Sequence, residues 1–234
     1  MTHFDLAKAL TDSLSLDPVP VALTIVDGAP EGVAVATRAV PSSCALWREA
    51  EKGVFYAGGT EHFNCAVGSM VMGFDLPENV QQELGGLVQS MCDAQYLQIE
   101  EVAKIPSIQK KGAGVVYGPL ADFPLDPDLV LMWLTPAQAM IYNEATGNAS
   151  WTSSPATVSG RPGCTALPLA LSSGEPGMAF GCIGMRTFTE IPDDRVLAVL
   201  PGGKVAEFVE ALQATVTANA GMKAFYEGHK AQFA

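Results

Sequence analysis

The sequence is poor in positive charge, in histidine and in charged residues overall. Its 234 residues include 13 lysines and arginines against 25 aspartates and glutamates, so the formal net charge is −12. Binding to the phosphates of nucleic acids or to an anionic membrane surface depends on an excess of Lys and Arg. The deficit therefore argues against nucleic-acid and membrane partners.

Long apolar runs are absent as well. The longest strongly apolar stretch, Leu129–Leu134, falls far short of the roughly 20 residues that a membrane-spanning helix needs. The first ten residues contain Asp5 and Lys8 and do not resemble a secretory signal. Five cysteines, an odd number in a chain of this length, do not indicate a disulfide framework. We therefore expect a cytoplasmic protein with reduced thiols.

Common catalytic and cofactor-binding motifs are missing from the sequence. It contains no Walker loop, no Gly-x-Gly-x-x-Gly after a strand, no Gly-x-Ser-x-Gly and no His-Glu-x-x-His. It also has no close Cys-x-x-Cys pair, which most zinc ribbons and ferredoxins use. Familiar nucleotide-binding, hydrolase and metalloprotease chemistry therefore has no support in the sequence.

The sequence nevertheless has the composition of a folded chain with a sizeable core. Hydrophobic residues make up 48% of it, which excludes disorder, and the length suits a single domain over residues 1–234. Short strand patterns alternate with helical ones, so the expected class is α/β, with α+β as the alternative. The polar loop Asn148–Gly163 is the best internal boundary. It gives halves at 15–147 and 148–215, followed by a helical tail at 216–234.

Local patterns place the individual elements. Thr2 is expected to cap a helix over residues 2–15, and Lys204–Ala218 has the spacing of a long amphipathic helix. A further helix is expected from Pro192 to Leu200. The expected strands are Val19–Val26, Val33–Val40, Val54–Ala57, Gly114–Gly118, Leu129–Leu134, Met178–Phe180 and Met185–Thr189.

Two segments, Pro41–Gly68 and Pro162–Gly184, share a layout that suggests an internal duplication. In each segment one cysteine opens a helix after a proline turn, and a second cysteine follows a strand and precedes a glycine. The four cysteines concerned are Cys44, Cys65, Cys164 and Cys182. Two similar, close-packed halves related by a two-fold axis would bring these thiols to one place, and a helix start lowers the pKa of a thiol.

Short blocks in a fixed order extend over roughly residues 15–215. They include Pro18–Ala22, Cys44-Ala45-Leu46, Cys65 with Gly68, Tyr117-Gly118-Pro119-Leu120, Asp128–Leu131, Pro136–Met140, Gly163-Cys164 and Cys182–Arg186. In these blocks the sequence resembles the domain of unknown function 169 family, an uncharacterised prokaryotic and archaeal family. The resemblance implies that Cys44, Cys65, Cys164 and Cys182 are the family-pattern cysteines and that Cys92 is an addition. It implies no activity.

The four family-pattern cysteines, Cys44, Cys65, Cys164 and Cys182, are the candidate metal and cofactor ligands. Soft thiolates select iron–sulfur clusters or zinc. Because the surrounding residues are apolar, we favour a [4Fe–4S] cluster, with zinc as the alternative. The expected function is electron transfer or redox chemistry on a small molecule, and the expected partner is that small molecule or a redox protein.

Two other functions stay open from the residues alone. The cysteines could be small buried core residues of a non-catalytic domain that binds a small ligand. Alternatively, Cys65 or Cys182 could be the nucleophile of a thiol enzyme. The low content of charge also makes a homo-oligomer plausible.

Three further polar residues are candidates for contacts around the ligands or with a substrate. His62 lies three residues before Cys65 and could act as a ligand or proton donor, or be an exposed loop histidine. Asn64 is expected to cap the following helix. Arg186 could bind a carboxylate or phosphate, or form an ordinary salt bridge.

Overall fold

A seven-stranded mixed sheet lies between two layers of helices in the computed structural model of the protein, which describes residues 1–147 and 156–233. This architecture confirms the expected α/β class. The strands are β1 (Val21–Val26), β2 (Phe55–Gly58), β3 (Gly114–Pro119), β4 (Leu129–Leu134), β5 (Thr157–Ser159), β6 (Gly177–Ala179) and β7 (Val196–Pro201). The helices are α1 (His3–Leu14), α2 (Ala45–Glu49), α3 (Gly59–His62), α4 (Ala66–Val71), α5 (Glu78–Asp93), α6 (Ile99–Val102), α7 (Pro136–Thr146), α8 (Ala166–Ser173), α9 (Ile183–Thr189) and α10 (Val205–Lys230).

The sheet has the order β2-β3-β1-β4-β7-β6-β5, with β1 and β4 at its centre. Every residue of β4 is buried, because helices cover this strand on both faces. Successive side chains of β4 enter opposite cores, so Leu131 joins one and Met132 the other. Burial of each such side chain stabilises the fold by about 1.5–3 kcal/mol.

One face of the sheet packs against α2, α4, α8 and α9, and the other against α1, α7 and α10. Thr2 caps α1 as expected, and its hydroxyl accepts a hydrogen bond from the backbone N–H of Asp5 at 3.2 Å. The expected C-terminal tail is a continuation of α10, whose side chains become exposed in its second half. Within the described residues, no helix combines the length and apolar character needed to cross a bilayer.

Three of the predicted helices and strands were wrong. The expected strand Met185–Thr189 lies within helix α9, where Met185 and Thr189, four residues apart, are both buried. The expected helix from Pro192 to Leu200 is instead a turn followed by β7, since alternate β7 side chains enter the two cores and the strand pairs with β4. Tertiary pairing overrides weak local propensity in both segments.

The third error concerns Val33–Val40. This segment forms only an isolated bridge between Val35 and Tyr56 at the edge of the sheet. The side chain of Val35 is 51% exposed. With no neighbour on its outer side and little burial, the segment does not extend into a strand.

The pairing registers relate β1, β2 and β3 to β4, β6 and β7. β1 pairs with β3 so that Val21 faces Pro119, and β4 pairs with β7 so that Leu129 faces Pro201. At the centre, Val21 faces Leu131 while Leu23 faces Leu129, so exchanging the two groups reproduces the same pairs. This is the pattern of a local two-fold axis perpendicular to the sheet.

The chain segments that follow β3 and β7 are related by the same local two-fold axis. The backbone N–H of Leu120 donates to the carbonyl of Pro20 at 2.9 Å, and that of Gly202 donates to the carbonyl of Asp128 at 2.9 Å. The two groups of strands divide between Pro119 and Leu129, N-terminal to the expected boundary at 147/148. Part of the expected loop Asn148–Gly163 is β5, and residues 148–155 lie outside the described residues. Common ancestry of the two groups stays a prediction.

Candidate functional site

The four family-pattern cysteines lie in corresponding connections of the two groups of strands. Cys44 lies between β1 and β2, and Cys65 between β2 and β3. Cys164 and Cys182 occupy the matching connections around β6. A rotation about an axis perpendicular to the sheet keeps each connection on the same face of the sheet. The two cysteines of one half and the two of the other therefore belong to the same helical layer. The topology therefore brings together cysteines that are between 99 and 138 positions apart in the chain.

Cys65 and Cys182 have matching local geometry. Each is the residue before a helix, and each sulfur accepts a hydrogen bond from a backbone N–H three residues later. The N–H of Gly68 donates to Cys65 Sγ at 3.3 Å, and that of Met185 donates to Cys182 Sγ at 3.4 Å. Both cysteines are half-buried.

Cys44 and Cys164 lie deeper, each 8% exposed. Burial raises the pKa of Cys44 to about 12, a hydrogen bond with Ser42 at 3.1 Å partly offsets the rise, and the charges of Cys65 and Cys182 add to it. Burial also raises the pKa of Cys164, which is raised further by all three other thiols. These two thiols are consequently protonated at neutral pH.

Negative charge on Cys65 or Cys182 would raise the pKa of both Cys44 and Cys164, which indicates that the thiols share one region, because charge interactions inside a protein weaken with distance. Helix packing agrees: α2, which follows Cys44, packs against α9, and α4, which follows Cys65, packs against the short 3-10 helix Gly163–Thr165. The element at the first cysteine of each half thus packs against the element at the second cysteine of the other half. Nevertheless, in the described part of the chain no group of three or more His, Cys, Asp or Glu side chains is placed to hold a metal ion.

Cys92 is separate from this thiol cluster. It lies near the end of α5, and it affects the pKa of neither Cys44 nor Cys164. This placement agrees with its interpretation as an addition to the family pattern.

His62 is a fully buried histidine, not an exposed loop residue. Its Nδ1 lies 2.6 Å from the carbonyl of Gly58, which can only accept, so Nδ1 carries the proton. Its Nε2 therefore accepts a hydrogen bond from the hydroxyl of Tyr117 at 2.9 Å. Burial lowers the pKa of His62 to about 4, although Gly58 and Glu61 act in the opposite direction. Both ring nitrogens are engaged within the fold.

Tyr117 connects this histidine to the thiol cluster. The tyrosine lies on β3 and is fully buried. Burial raises its pKa, the nearby indole of Trp47 partly offsets the rise, and the charge of Cys44 adds to it. The indole N–H of Trp47 lies close to this hydroxyl, since it lowers the pKa of Tyr117 as a hydrogen-bond donor does. His62, Tyr117, Trp47 and Cys44 thus form a continuous buried series.

Asn64 and Arg186 are both held by backbone carbonyls. Asn64 donates from its side-chain amide to the carbonyl of Val40 at 3.0 Å, and Cys65, not Asn64, caps α4. The guanidinium of Arg186 donates to the carbonyls of Phe180 at 2.6 Å and Arg195 at 3.0 Å. Both side chains therefore fasten the loops that carry the cysteines.

Ser42 and Ser43, directly before Cys44, contact this region although the sequence patterns above do not single them out. Ser42 does accept from the N–H of Ala45 at 3.3 Å, and it also contacts the sulfur of Cys44. Ser43 lies against Gly68, where a Cβ would stand 2.6 Å from Ser43 Oγ and 3.0 Å from Cys65 Sγ. The sequence feature that could have indicated this contact is the pair of serines directly before a family-pattern cysteine.

Comparison with known proteins gives one match. The family model of domain of unknown function 169, described as "Uncharacterised ArCR", matches residues 9–211. No curated protein and no solved structure matches the chain.

Proposed function

Since the chain belongs to the domain of unknown function 169 family, whose description assigns no activity, we propose a function from the thiol cluster itself. The protein is a cysteine-ligated metalloprotein that holds an iron–sulfur cluster of the [4Fe–4S] type between its two halves. Its ligands are Cys44, Cys65, Cys164 and Cys182. The cluster serves electron transfer or redox chemistry on a small molecule.

The observation that carries this proposal is the packing of α2 against α9 and of α4 against the 3-10 helix Gly163–Thr165, which brings the connections that hold the four thiols together. Four soft sulfur donors in one apolar region are the ligand set that iron–sulfur clusters use. Cys92, the thiol outside the family pattern, is also the one outside this region. An inert core cysteine would have no reason to recur at both related positions of both halves.

The surroundings of the sulfurs fit a bound cluster. Backbone N–H groups already donate to Cys65 and Cys182, and hydrogen bonds to cluster sulfurs tune its reduction potential. A Cβ at Gly68 would stand 2.6 Å from Ser43 Oγ and 3.0 Å from Cys65 Sγ, so glycine at this position lets α4 pack closely against the sulfur.

Loading requires changes in the thiols themselves. Because no ligand group is already placed on a common ion in the described residues, the sulfurs must rotate toward one another. The buried thiols must also lose their protons, since burial raises the pKa of Cys44 to about 12. Metal binding therefore releases protons and is favoured by higher pH.

The surface next to Cys182 supports access by a partner. Phe180 and Ile183 are each 67% exposed, and they flank this half-buried thiol. An exposed apolar rim around a redox centre suits the docking of a redox protein or an apolar small molecule. Cys65 and Cys182 are the half-buried ligands of the four, so this edge of the cluster is nearest to the surface.

Anaerobic reconstitution with iron and sulfide tests the proposal. The wild-type protein should become brown and hold about four iron atoms per chain. Cys44→Ser should bind much less iron, while the matched variant Cys92→Ser should load like the wild type. A colourless wild-type protein with neither iron nor zinc would refute the proposal. Tight binding of one zinc without iron would replace the cluster with the zinc alternative.

A further inference from the structure

The second half of α10 is exposed on all sides. The first half packs into the core through side chains such as Phe208 and Leu212, whereas every residue from Gly221 to Lys230 is exposed. We call residues 221–233, which include the 3-10 turn after α10, the exposed tail. It lies outside the family match, which ends at residue 211. The core around the sheet therefore does not depend on it.

The exposed tail carries an apolar stripe. Met222, Phe225, Tyr226 and His229 have the spacing of one helix face, and Phe233 contacts the ring of His229 at a centroid distance of 5.2 Å. Phe225, Tyr226 and Phe233 are 65%, 60% and 79% exposed. A contiguous apolar surface of this kind marks an interaction site, because scattered single apolar residues are the rule on other surfaces.

An open groove of about 660 Å³ runs beside the stripe. It lies between the exposed tail, α1 and α7, and its lining includes Met140, Val216 and Ala220. Met140 is itself half exposed. The stripe and the groove thus give this end of the molecule both a projecting and a concave apolar surface.

Two opposite charges flank the stripe on the same side. Lys223 and Glu227 are one helical turn apart, their Nζ and Oε1 atoms lie 3.9 Å apart, and both side chains are exposed. Consider an antiparallel pair of α10 helices whose two-fold axis passes beside Phe225. Lys223 of one copy then faces Glu227 of the other, and the reverse holds by symmetry. The same axis sets Phe233 of one copy level with Thr217 of the other, at the groove.

We propose that the exposed tail pairs with the tail of a second copy of this chain, in an antiparallel, isologous dimer centred on Phe225. Phe233 of each copy enters the groove of the other, and Lys223 pairs with Glu227 across the axis. A second copy is favoured over an anionic membrane, because a chain with a net charge of −12 is repelled by such a surface. This pairing does not depend on metal binding.

The available area suits a stable interface. An aromatic side chain buries about 150–250 Å², so the exposed fractions of Phe225, Tyr226 and Phe233 supply about 400 Å² per copy. A standard interface buries about 800 Å² per partner. Met222 and the lining of the groove supply the rest.

Analytical ultracentrifugation of the full chain over a range of concentrations tests the proposal. The wild type should have the mass of two chains. Phe225→Ser should raise the dissociation constant at least about 100-fold, since the substitution acts twice in a symmetric dimer. The matched control is Phe4→Ser on α1, a phenylalanine that is 60% exposed outside the tail, and it should dimerise like the wild type.

A charge exchange tests the antiparallel register. Lys223→Glu and Glu227→Lys should each weaken dimerisation at least about tenfold, because each variant alone brings like charges together across the axis. An equal mixture of the two variants should dimerise like the wild type, since opposite charges then face each other at both positions. An effect confined to the ion pair within one helix would not be repaired by mixing.

A monomeric wild type would overturn the proposal, as would equal dimerisation of Phe225→Ser and Phe4→Ser, which would place the interface elsewhere. A monomer that sediments with phosphatidylglycerol vesicles, and loses this binding in Phe225→Ser, would identify the tail as a membrane anchor instead. Failure of the mixed variants to recover would refute the pairing of Lys223 with Glu227 between copies.

Discussion

The buried histidine His62 predicts a specific dependence of stability on pH. Burial lowers its pKa from the ordinary value of 6.5 to about 4 in the folded protein. Below pH 6.5 the unfolded chain binds a proton at this residue and the folded chain does not, so stability falls as the pH is lowered. The loss continues down to about pH 4 and then levels off. It amounts to about 3 kcal/mol in total and about 2 kcal/mol between pH 7 and pH 5.

The variant His62→Gln isolates this contribution, because glutamine offers a donor and an acceptor but does not titrate in this range. The variant itself will be less stable at pH 7, since it loses the ring contact with Phe74, whose centroid lies 4.6 Å from that of His62. Its loss of stability from pH 7 to pH 5 should nevertheless be smaller than that of the wild type by about 2 kcal/mol.

Urea unfolding of the metal-free protein, followed by circular dichroism at pH 7 and pH 5, measures these differences. The matched control is His229→Gln, since His229 is exposed on α10. This control should keep the wild-type pH dependence. If His62→Gln and the wild type lose the same stability between the two pH values, His62 is not a buried neutral histidine and the assigned hydrogen bonds are wrong.

Two other predictions concern the packing around the thiols. In metal-free protein at neutral pH, Cys65 and Cys182 should react with iodoacetamide faster than Cys44, which is buried with a pKa of about 12, and equal rates by mass spectrometry would contradict this burial order. Gly68→Ala should lower stability by about 1–3 kcal/mol, because its Cβ would stand 2.6 Å from Ser43 Oγ. The control is Gly86→Ala on α5, where a Cβ would meet nothing within 4 Å, and it should stabilise the protein by up to about 1 kcal/mol. Thermal unfolding measures both variants. If Gly86→Ala lost as much stability as Gly68→Ala, the clash at Gly68 would not be the cause.

The sequence predicted correctly those features that depend on local pattern or strong hydrophobicity. The run Leu129–Leu134 is a buried strand as predicted, because six apolar residues between turn signals favour a strand that is covered on both faces. The Thr2 cap of α1 follows from side-chain chemistry within one turn of helix. The family resemblance is confirmed by the match over residues 9–211, whereas the internal duplication that the layout of the cysteines suggested stays a prediction.

The elements that failed are those with weak local signals. Met185–Thr189 contains β-prone residues, but the packing of α9 against α2 and the capping sulfur of Cys182 make it helical. The segment after Pro192 looks like the start of a helix, yet a vacant edge of β4 is filled by β7. Hydrogen bonds between strands distant in sequence decide such segments, and no local window contains that information.

By itself, then, the sequence determined which residues could carry the chemistry: four thiols at matching positions, and one outside the pattern. Tertiary structure decided their environment. The pairing of β1 with β4 sets both groups of strands about one axis, so the thiols from distant connections share a region. The same folding engages Arg186 through backbone carbonyls and His62 through Gly58 and the hydroxyl of Tyr117. Whether a buried donor finds a hydrogen-bond partner depends on every element packed around it, and only the assembled fold specifies which elements those are.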